Sequence, residues 1–179
     1  SYYAEGSKTL AYEIAEQLDW RTPDVVVAPI ASGALFHKVG QGFAELRALG
    51  LVDGVGPALV GGQAEGCQPV ATAFRERTAV TPVRPDTIAR SLAIGAPADG
   101  YFALKVSRQT DGHIEWCTEQ EIREGIRLLA STEGVFTETA GGVTIANLKR
   151  MVEQGIVKPG EEVVAYVTGH GLKTLDALG

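Results

Sequence analysis

The sequence predicts an α/β fold, with a mostly parallel sheet flanked by helices. Segments with the apolar spacing of helices alternate along the chain with short apolar runs typical of strands. These runs are continuous, as in Val25 to Ile30, whereas a strand with one wet face would alternate apolar and polar residues. Small-residue loops follow some of the runs, and ligands bind beyond the carboxyl ends of strands in open parallel sheets. The alternation of helices and apolar runs therefore predicts the fold. The loops after the runs predict a site at the carboxyl ends of the strands.

The first half of the chain predicts three helices and two strands. Apolar residues recur at helical spacing from Lys8 to Leu18, and Pro23 ends that helix before the strand from Val25 to Ile30. The next helix runs from Leu35 to Leu49 and is followed by Gly50, a residue suited to a left-handed turn. The remaining elements are a strand from Ala58 to Gly62, a helix from Pro69 to Arg75 and an extended connection from Thr78 to Pro85.

The second half predicts two short helical segments, two strands and two longer helices. Thr118 and Glu121 have the spacing of a capping box, which predicts a helix to about Ser131. A small-residue turn at Thr139 to Gly142 is expected to lead into a helix that ends at Gly155. The other elements are helical segments at Asp86 to Leu92 and Tyr101 to Ser107, and strands at His113 to Cys117 and Glu162 to Val167.

Length and composition favour one domain and exclude several classes of protein. The 179 residues suffice for one core, so residues 1–179 are expected to form one α/β domain. Hydrophobic residues make up 45%, but no apolar run is long enough to cross a membrane. No secretory signal precedes the first helix, which favours a cytoplasmic location. The net charge of −6 argues against a nucleic-acid partner.

The cysteines and histidines do not predict a metal site. Cys67 and Cys117 form no CxxC pair, so both are interpreted as free thiols. His37, His113 and His170 are far apart in the sequence and have no metal-ligand spacing. No metal is therefore expected.

Three small-residue loops are candidates for one binding crevice: Ala31 to Ala34, Ala140 to Gly142, and Thr168 to Gly171. The first joins a strand to a helix, where free backbone N–H groups commonly hold a phosphate. Ser32 can donate its hydroxyl to that phosphate or cap the helix that starts near Leu35. Each loop taken alone is also compatible with a plain turn.

Six segments together resemble the C-terminal half of the threonine synthase family, fold type II enzymes that use pyridoxal 5′-phosphate and have a tryptophan synthase beta-like fold. They cover nearly the whole chain in the right order: YYAEGSKTLAYEIAEQL, PIASGALFHKVGQGFAELRALGL, GGQAEGCQPV, DTIARSLAIGAP, EGVFTETAGG and VTGHGLK. The last segment distinguishes this family best from related cysteine synthases and threonine dehydratases. The resemblance implies conversion of O-phospho-L-homoserine and water to L-threonine and phosphate.

The resemblance also assigns roles to particular residues. Thr168 would hydrogen-bond the pyridine nitrogen of the cofactor, and the cofactor phosphate would bind the loop of Ala31, Ser32, Gly33, Ala34 and Leu35. Glu138 would form a polar wall of the site or cap the following helix. His170 would approach the cofactor ring or the substrate, or fix its own turn.

The Schiff-base lysine of the family is expected upstream of this chain. None of Lys8, Lys38, Lys105, Lys149, Lys158 and Lys173 has the expected sequence context, and Lys8 and Lys38 are predicted on solvated helix faces. The resemblance therefore implies a missing N-terminal half as the partner of this chain, and an inactive chain without it. Relatives of this fold are often dimers, so a homodimer is a further option.

Two other functions stay open at the level of sequence. Ala31 and Ala34 stand where glycine is usual, Thr139 where proline is common and Ala96 where asparagine is frequent. One alternative is a related threonine or serine dehydratase, an ammonia-lyase of the same fold. The other is a non-catalytic truncated module that binds a small molecule.

Overall fold

Four parallel strands form the sheet of the computed structural model, which describes residues 2–178 apart from the side chain of residue 3. The strands are β1 (Val25–Pro29), β2 (Ala58–Ala64), β3 (His113–Cys117) and β4 (Val163–Ala165). Their order across the sheet is β3-β2-β1-β4, and every pairing is parallel. The chain thus moves outward from β1 to β3 and then returns to the other side of β1. This makes the gap between β1 and β4 the switch point, where open parallel sheets bind ligands.

Seven α-helices accompany the sheet within the described residues. They are α1 (Tyr2–Gly6), α2 (Thr9–Gln17), α3 (Ala34–Ala48), α4 (Pro69–Glu76), α5 (Gly100–Gln109), α6 (Glu119–Glu133) and α7 (Thr139–Glu153). Two 3₁₀ segments, Arg90–Leu92 and Gly171–Leu178, complete the helical structure, and the second is interrupted at Thr174. None of the helices described between residues 2 and 178 combines the length and apolarity needed to cross a membrane.

Alternate residues of β1 pack on opposite faces of the sheet, because successive strand side chains point to opposite sides. Val26 and Ala28 lie in the core cluster that holds α3, α4 and α5. Val25 and Val27 pack with Met151 of α7 on the other face. Both faces are therefore covered, which explains why the strand is apolar at every position.

The capping box predicted for α6 is confirmed. The Thr118 hydroxyl accepts a hydrogen bond from the Glu121 N–H at 3.2 Å, and the Glu121 carboxylate accepts one from the Thr118 N–H at 2.7 Å. Gly134 closes the helix in the left-handed region at φ 68°. The start of α6 is therefore as predicted, whereas the helix continues to Glu133, two residues beyond the predicted end near Ser131.

The prediction of a turn at Thr139 to Gly142 is wrong, because these residues form the first turn of α7. Gly142 serves helix packing, and Gly141 lies against the Thr137 side chain. A Cβ on Gly142 would lie 2.7 Å from the Ile122 carbonyl oxygen of α6. Small residues here let the two helices approach closely.

Lys8 and Lys38 are not on solvated faces, which corrects a second prediction. Lys8 is 8% exposed, and its Nζ lies 2.7 Å from Glu45 Oε1 and 2.6 Å from Glu5 Oε2. Lys38 forms an ion pair with the same Glu5. The hydrogen bond from Lys38, which has the largest effect, and the one from Lys8 lower the pKa of Glu5 from 4.5 to about 2. The lysines therefore tie α1 and α2 to α3.

Candidate functional site

The loops after β1 and β4 meet at one cavity of about 170 Å³. Residues 31–35 line it from one side, and Glu138 and Thr168 line it from the other. The loops at Ser32 and Thr168, two of the three predicted to share one crevice, therefore do meet, and they follow the adjacent strands β1 and β4. The third loop contributes only Ala140, because Gly141 and Gly142 pack elsewhere.

The start of α3 presents backbone donors to this cavity. Within the described residues, the first backbone bond into the helix runs from the His37 N–H to the Gly33 carbonyl oxygen at 3.0 Å. The N–H groups of Leu35 and Phe36 therefore have no acceptor among residues 2–178, and both residues line the cavity. Such donors at the positive end of a helix bind anions.

Ser32 precedes the N-cap residue Gly33, and α3 has no side-chain cap at that position. The Ser32 Oγ accepts a hydrogen bond from the Ala34 N–H at 3.3 Å. The hydroxyl proton is not used in that bond, so Ser32 can still donate to an anion in the cavity. The bond to the Ala34 N–H and donation to an anion are therefore compatible.

Gly33 fits its position for two separate reasons. Its φ is +95°, a conformation that side chains rarely adopt, and a Cβ there would lie 2.7 Å from the Asp99 carbonyl oxygen. The Asp99 N–H in turn donates to the Ser32 carbonyl oxygen at 2.9 Å. The segment before α5 therefore braces the loop, a contact that sequence reasoning missed because it joins distant residues.

Ala31 and Ala34 do not disturb this geometry. Among residues 31–34, only Gly33 has a positive φ, and Ala34 is the first residue of α3. The left-handed position is therefore occupied by glycine, and the alanines replace glycines where the backbone does not require them.

Glu138 is a polar wall of the cavity and does not cap α7 through its side chain. It occupies the N-cap position, but its side chain makes no capping hydrogen bond. The carboxylate instead lies 2.9 Å from Lys173 Nζ, with only 5% of the Glu138 side chain exposed. Sequence reasoning identified Glu138 but missed Lys173, although both lie in the segments of family resemblance.

The Thr168 loop is held by the segment before α7. The Gly169 carbonyl oxygen accepts hydrogen bonds from the Glu138 N–H and the Thr137 hydroxyl, both at 3.0 Å. The Gly171 N–H donates to the Phe136 carbonyl oxygen at 3.0 Å. Thr168 itself is exposed and faces the cavity without a partner in the described chain. Its hydroxyl is therefore available to a ligand.

His170 lies in the turn beside the cavity but does not line it. Its Nδ1 accepts a hydrogen bond from the Leu172 N–H at 3.2 Å, and its ring packs edge-on against Phe136. Of the roles considered for this residue, the geometry favours fixing the turn.

Ser91 and Leu92 also line the cavity, and sequence reasoning did not identify them. They belong to a 3₁₀ segment far from the loops in the chain, and no local signal connects them to the site. Ala140 was identified as part of a loop, whereas it lies in the first turn of α7. Ala140 thus brings the N-terminus of α7 to the cavity. The partial positive charge of that helix end adds to that of α3.

No lysine of the described chain lines the cavity, and residues 2–178 hold no group of three or more His, Cys, Asp or Glu placed for a metal ion. Cys67 and Cys117 are buried free thiols, as predicted. Burial raises the pKa of Cys117 to about 12, so this thiol is unreactive at neutral pH.

The cavity has an anion-binding helix start on one wall and the Thr168 hydroxyl on the other. The N–H groups of Leu35 and Phe36, which have no acceptor in the described chain, suit an anion such as a phosphate. Thr168 follows β4, the strand beside β1, and lines the opposite wall of the cavity. A parallel α/β sheet with this anion site at its switch point defines a domain that binds a phosphorylated cofactor.

Residues 1–169 match the model of the family described as pyridoxal-phosphate dependent enzymes. The chain belongs to this family, whose members depend on pyridoxal 5′-phosphate. The sequence-based resemblance and the predicted fold type II architecture are thereby confirmed.

Two curated relatives and one solved structure illustrate the similarity. The chain is 40% identical to the threonine synthase of Methanocaldococcus jannaschii over 97% of its own length, and 37% identical to that of Methanosarcina acetivorans over 96%. It spans 43% of each relative. A fungal L-serine ammonia-lyase from Rhizomucor miehei has the same fold, with a TM-score of 0.78 and 21% identity, over 98% of this chain and 55% of that one.

Proposed function

We propose that this chain is the cofactor-binding portion of a threonine synthase-like lyase. The enzyme would convert O-phospho-L-homoserine and water to L-threonine and phosphate. The observation that carries the proposal is the meeting of residues 31–35 and Thr168 at one cavity, on a chain 40% identical to a protein named threonine synthase. The one α/β domain of residues 1–179 would be its large-domain portion.

In this proposal, α3 holds the cofactor phosphate. The N–H groups of Leu35 and Phe36 and the Ser32 hydroxyl would donate to its oxygens, aided by the positive end of the helix. Gly33 would adopt the left-handed conformation that leads the loop into α3. The phosphate end would therefore anchor the ligand and fix its distance from the second wall.

Thr168 would form a hydrogen bond between its hydroxyl and the ring nitrogen of the cofactor. When bound, the cofactor supplies an electron sink for carbanions of the amino-acid substrate. A neutral hydroxyl does not hold the ring nitrogen protonated, so Thr168 would set a weaker sink than a carboxylate partner. Glu138 would close the wall beside it, and His170 would fix the turn that carries Thr168.

The lysine that attaches the cofactor is proposed to lie outside these residues. This is supported by the absence of any lysine from the cavity lining within residues 2–178, and by the 43% span of the relatives. The missing N-terminal half would supply that lysine and complete the site. The proposal includes a homodimer of the completed enzyme and inactivity of this chain on its own.

The test is a substrate assay on the full-length protein that carries this chain. With O-phospho-L-homoserine, we expect equal amounts of L-threonine and inorganic phosphate. With L-threonine or L-serine, we expect no more than slow release of ammonia. Rapid formation of a 2-oxo acid and ammonia, without phosphate release from O-phosphohomoserine, would instead assign the chain to the dehydratases. Binding of the cofactor without either reaction would support the non-catalytic module.

A further inference from the structure

Lys173 reaches from solvent to a buried charge in the wall of the cavity. Its side chain is 62% exposed, while that of its partner Glu138 is only 5% exposed. The two charged atoms, Lys173 Nζ and Glu138 Oε2, are 2.9 Å apart. A buried carboxylate without a counter-charge is costly, and removal of its partner leaves that cost uncompensated. Lys173 therefore keeps an ionised Glu138 compatible with burial.

The carboxylate of Glu138 also lies against the backbone that carries Thr168. A Cβ on Gly169 would collide with it, and the Glu138 N–H bonds the Gly169 carbonyl oxygen. The position of the Glu138 side chain is thus coupled to the residue that follows Thr168. Within residues 2–178, neither Lys173 nor Glu138 hydrogen-bonds the 31–35 loop. The ion pair acts on one wall of the cavity.

We infer that Lys173 is a positioning residue that, through Glu138, holds Thr168 against the ring of the bound cofactor. This inference rests on the proposed cofactor site. The ion pair fixes the carboxylate, the carboxylate packs on Gly169, and Gly169 sets the direction of the Thr168 hydroxyl. Binding of the ring depends on Lys173, whereas binding of the phosphate alone does not.

The experiment measures two ligands by calorimetry on the full-length protein after removal of its resident cofactor. Pyridoxine 5′-phosphate carries an alcohol in place of the aldehyde, so it cannot form a Schiff base with any lysine. Inorganic phosphate reports the α3 end alone. We expect Lys173→Met to weaken pyridoxine 5′-phosphate binding by about tenfold, with little change for inorganic phosphate. Lys173→Arg should restore most of the affinity, because it keeps the positive charge.

Two controls separate positioning from general effects. Lys149 pairs with Glu153 away from the cavity and is similarly exposed, so Lys149→Met should leave both affinities unchanged. In a Glu138→Gln background the buried charge is gone, and Lys173→Met should then have no further effect on pyridoxine 5′-phosphate binding. A persistent effect in that background would overturn the inference.

The inference is also overturned if Lys173→Met binds pyridoxine 5′-phosphate like the wild type, or if it weakens both ligands equally. Failure of Lys173→Arg to recover affinity has the same meaning. A wild-type protein that binds neither ligand would overturn the proposed cofactor site as well. If the wild type binds both ligands and Lys173→Met is indistinguishable from it, only the inference about Lys173 is overturned.

Discussion

In the proposed site, Gly33 combines an unusual backbone conformation with a place in the phosphate-binding loop. Replacement by Ala would force a side chain into φ +95° and place its Cβ 2.7 Å from the Asp99 carbonyl oxygen. We expect Gly33→Ala to lower the free energy of unfolding by about 1 to 3 kcal/mol. The N–H groups of Leu35 and Phe36 would also shift, so affinity for inorganic phosphate should fall. Chemical denaturation and calorimetry measure the two effects.

Gly50 offers the matched control for that substitution. It also has a positive φ, +69°, but a Cβ there would meet nothing within 4 Å. Gly50→Ala should therefore lower the free energy of unfolding by about 1 kcal/mol through backbone strain alone. It should leave phosphate binding intact. Equal losses of stability and equal phosphate affinities in the two variants would contradict the assignment of Gly33 to the site.

Thr168 is expected to matter more for turnover than for retention of the cofactor. Thr168→Val keeps the shape but leaves the ring nitrogen without its hydroxyl partner, an interaction worth about 1 to 3 kcal/mol. The phosphate contacts on α3 would remain. In the full-length protein, kcat should therefore fall further than cofactor affinity.

Thr81→Val provides the control for Thr168→Val, because Thr81 is exposed in the extended connection and does not line the cavity. Its steady-state kinetics should match the wild type. If Thr168→Val also matched the wild type, Thr168 would not contact the ring.

At the scale of elements, an ion-pair network joins α1 and α2 to α3. The pKa of Glu5 is lowered from 4.5 to about 2 by Lys38 and Lys8. A carboxyl group with a lowered folded-state pKa stabilises the fold above its unfolded pKa and loses this contribution as pH falls through the folded value. The stabilising effect of Glu5 should therefore be complete above about pH 5 and disappear towards pH 2.

Glu5→Gln tests this dependence. The difference in stability between wild type and Glu5→Gln, measured by denaturation at a series of pH values, should be constant near neutrality and shrink between pH 4.5 and about 2. Glu16 is exposed on α2 and forms no ion pair in the described residues. Glu16→Gln should show no such trend. If the stability difference for Glu5→Gln does not vary with pH, the ion pairs of Glu5 do not stabilise the fold.

Elements with a strong local signal were predictable, and those defined by packing were not. The α6 capping box, the continuous apolar β1 and the closing Gly50 all act through neighbours in sequence. The helix α1 has only five residues, too few for an apolar period. The glycines of the first turn of α7 predict a turn as readily as a helix, because glycine permits both turns and close helix packing.

At the scale of the whole molecule, periodicity predicted the parallel sheet but not its strand order. The return of the chain to place β4 beside β1 is a long-range event, and it brings Thr168 to the Ser32 loop. For the same reason, local patterns could not connect Asp99 with Gly33 or Lys173 with Glu138. The family resemblance identified the Ser32 loop, Glu138 and Thr168, whereas Ser91, Leu92 and the contacts of Asp99 and Lys173 required the fold.

The completeness of the site is also a property of the whole molecule. We expect the 179-residue chain alone to release no phosphate from O-phosphohomoserine, because no lysine in residues 2–178 lines the cavity. The start of α3 lies entirely within the chain, so inorganic phosphate should still bind weakly, at about −4 kcal/mol. Absorbance spectra and borohydride reduction check the first expectation, and calorimetry checks the second. A stoichiometric borohydride-trapped adduct on one lysine of this chain, together with turnover, would show that the attachment site lies within it.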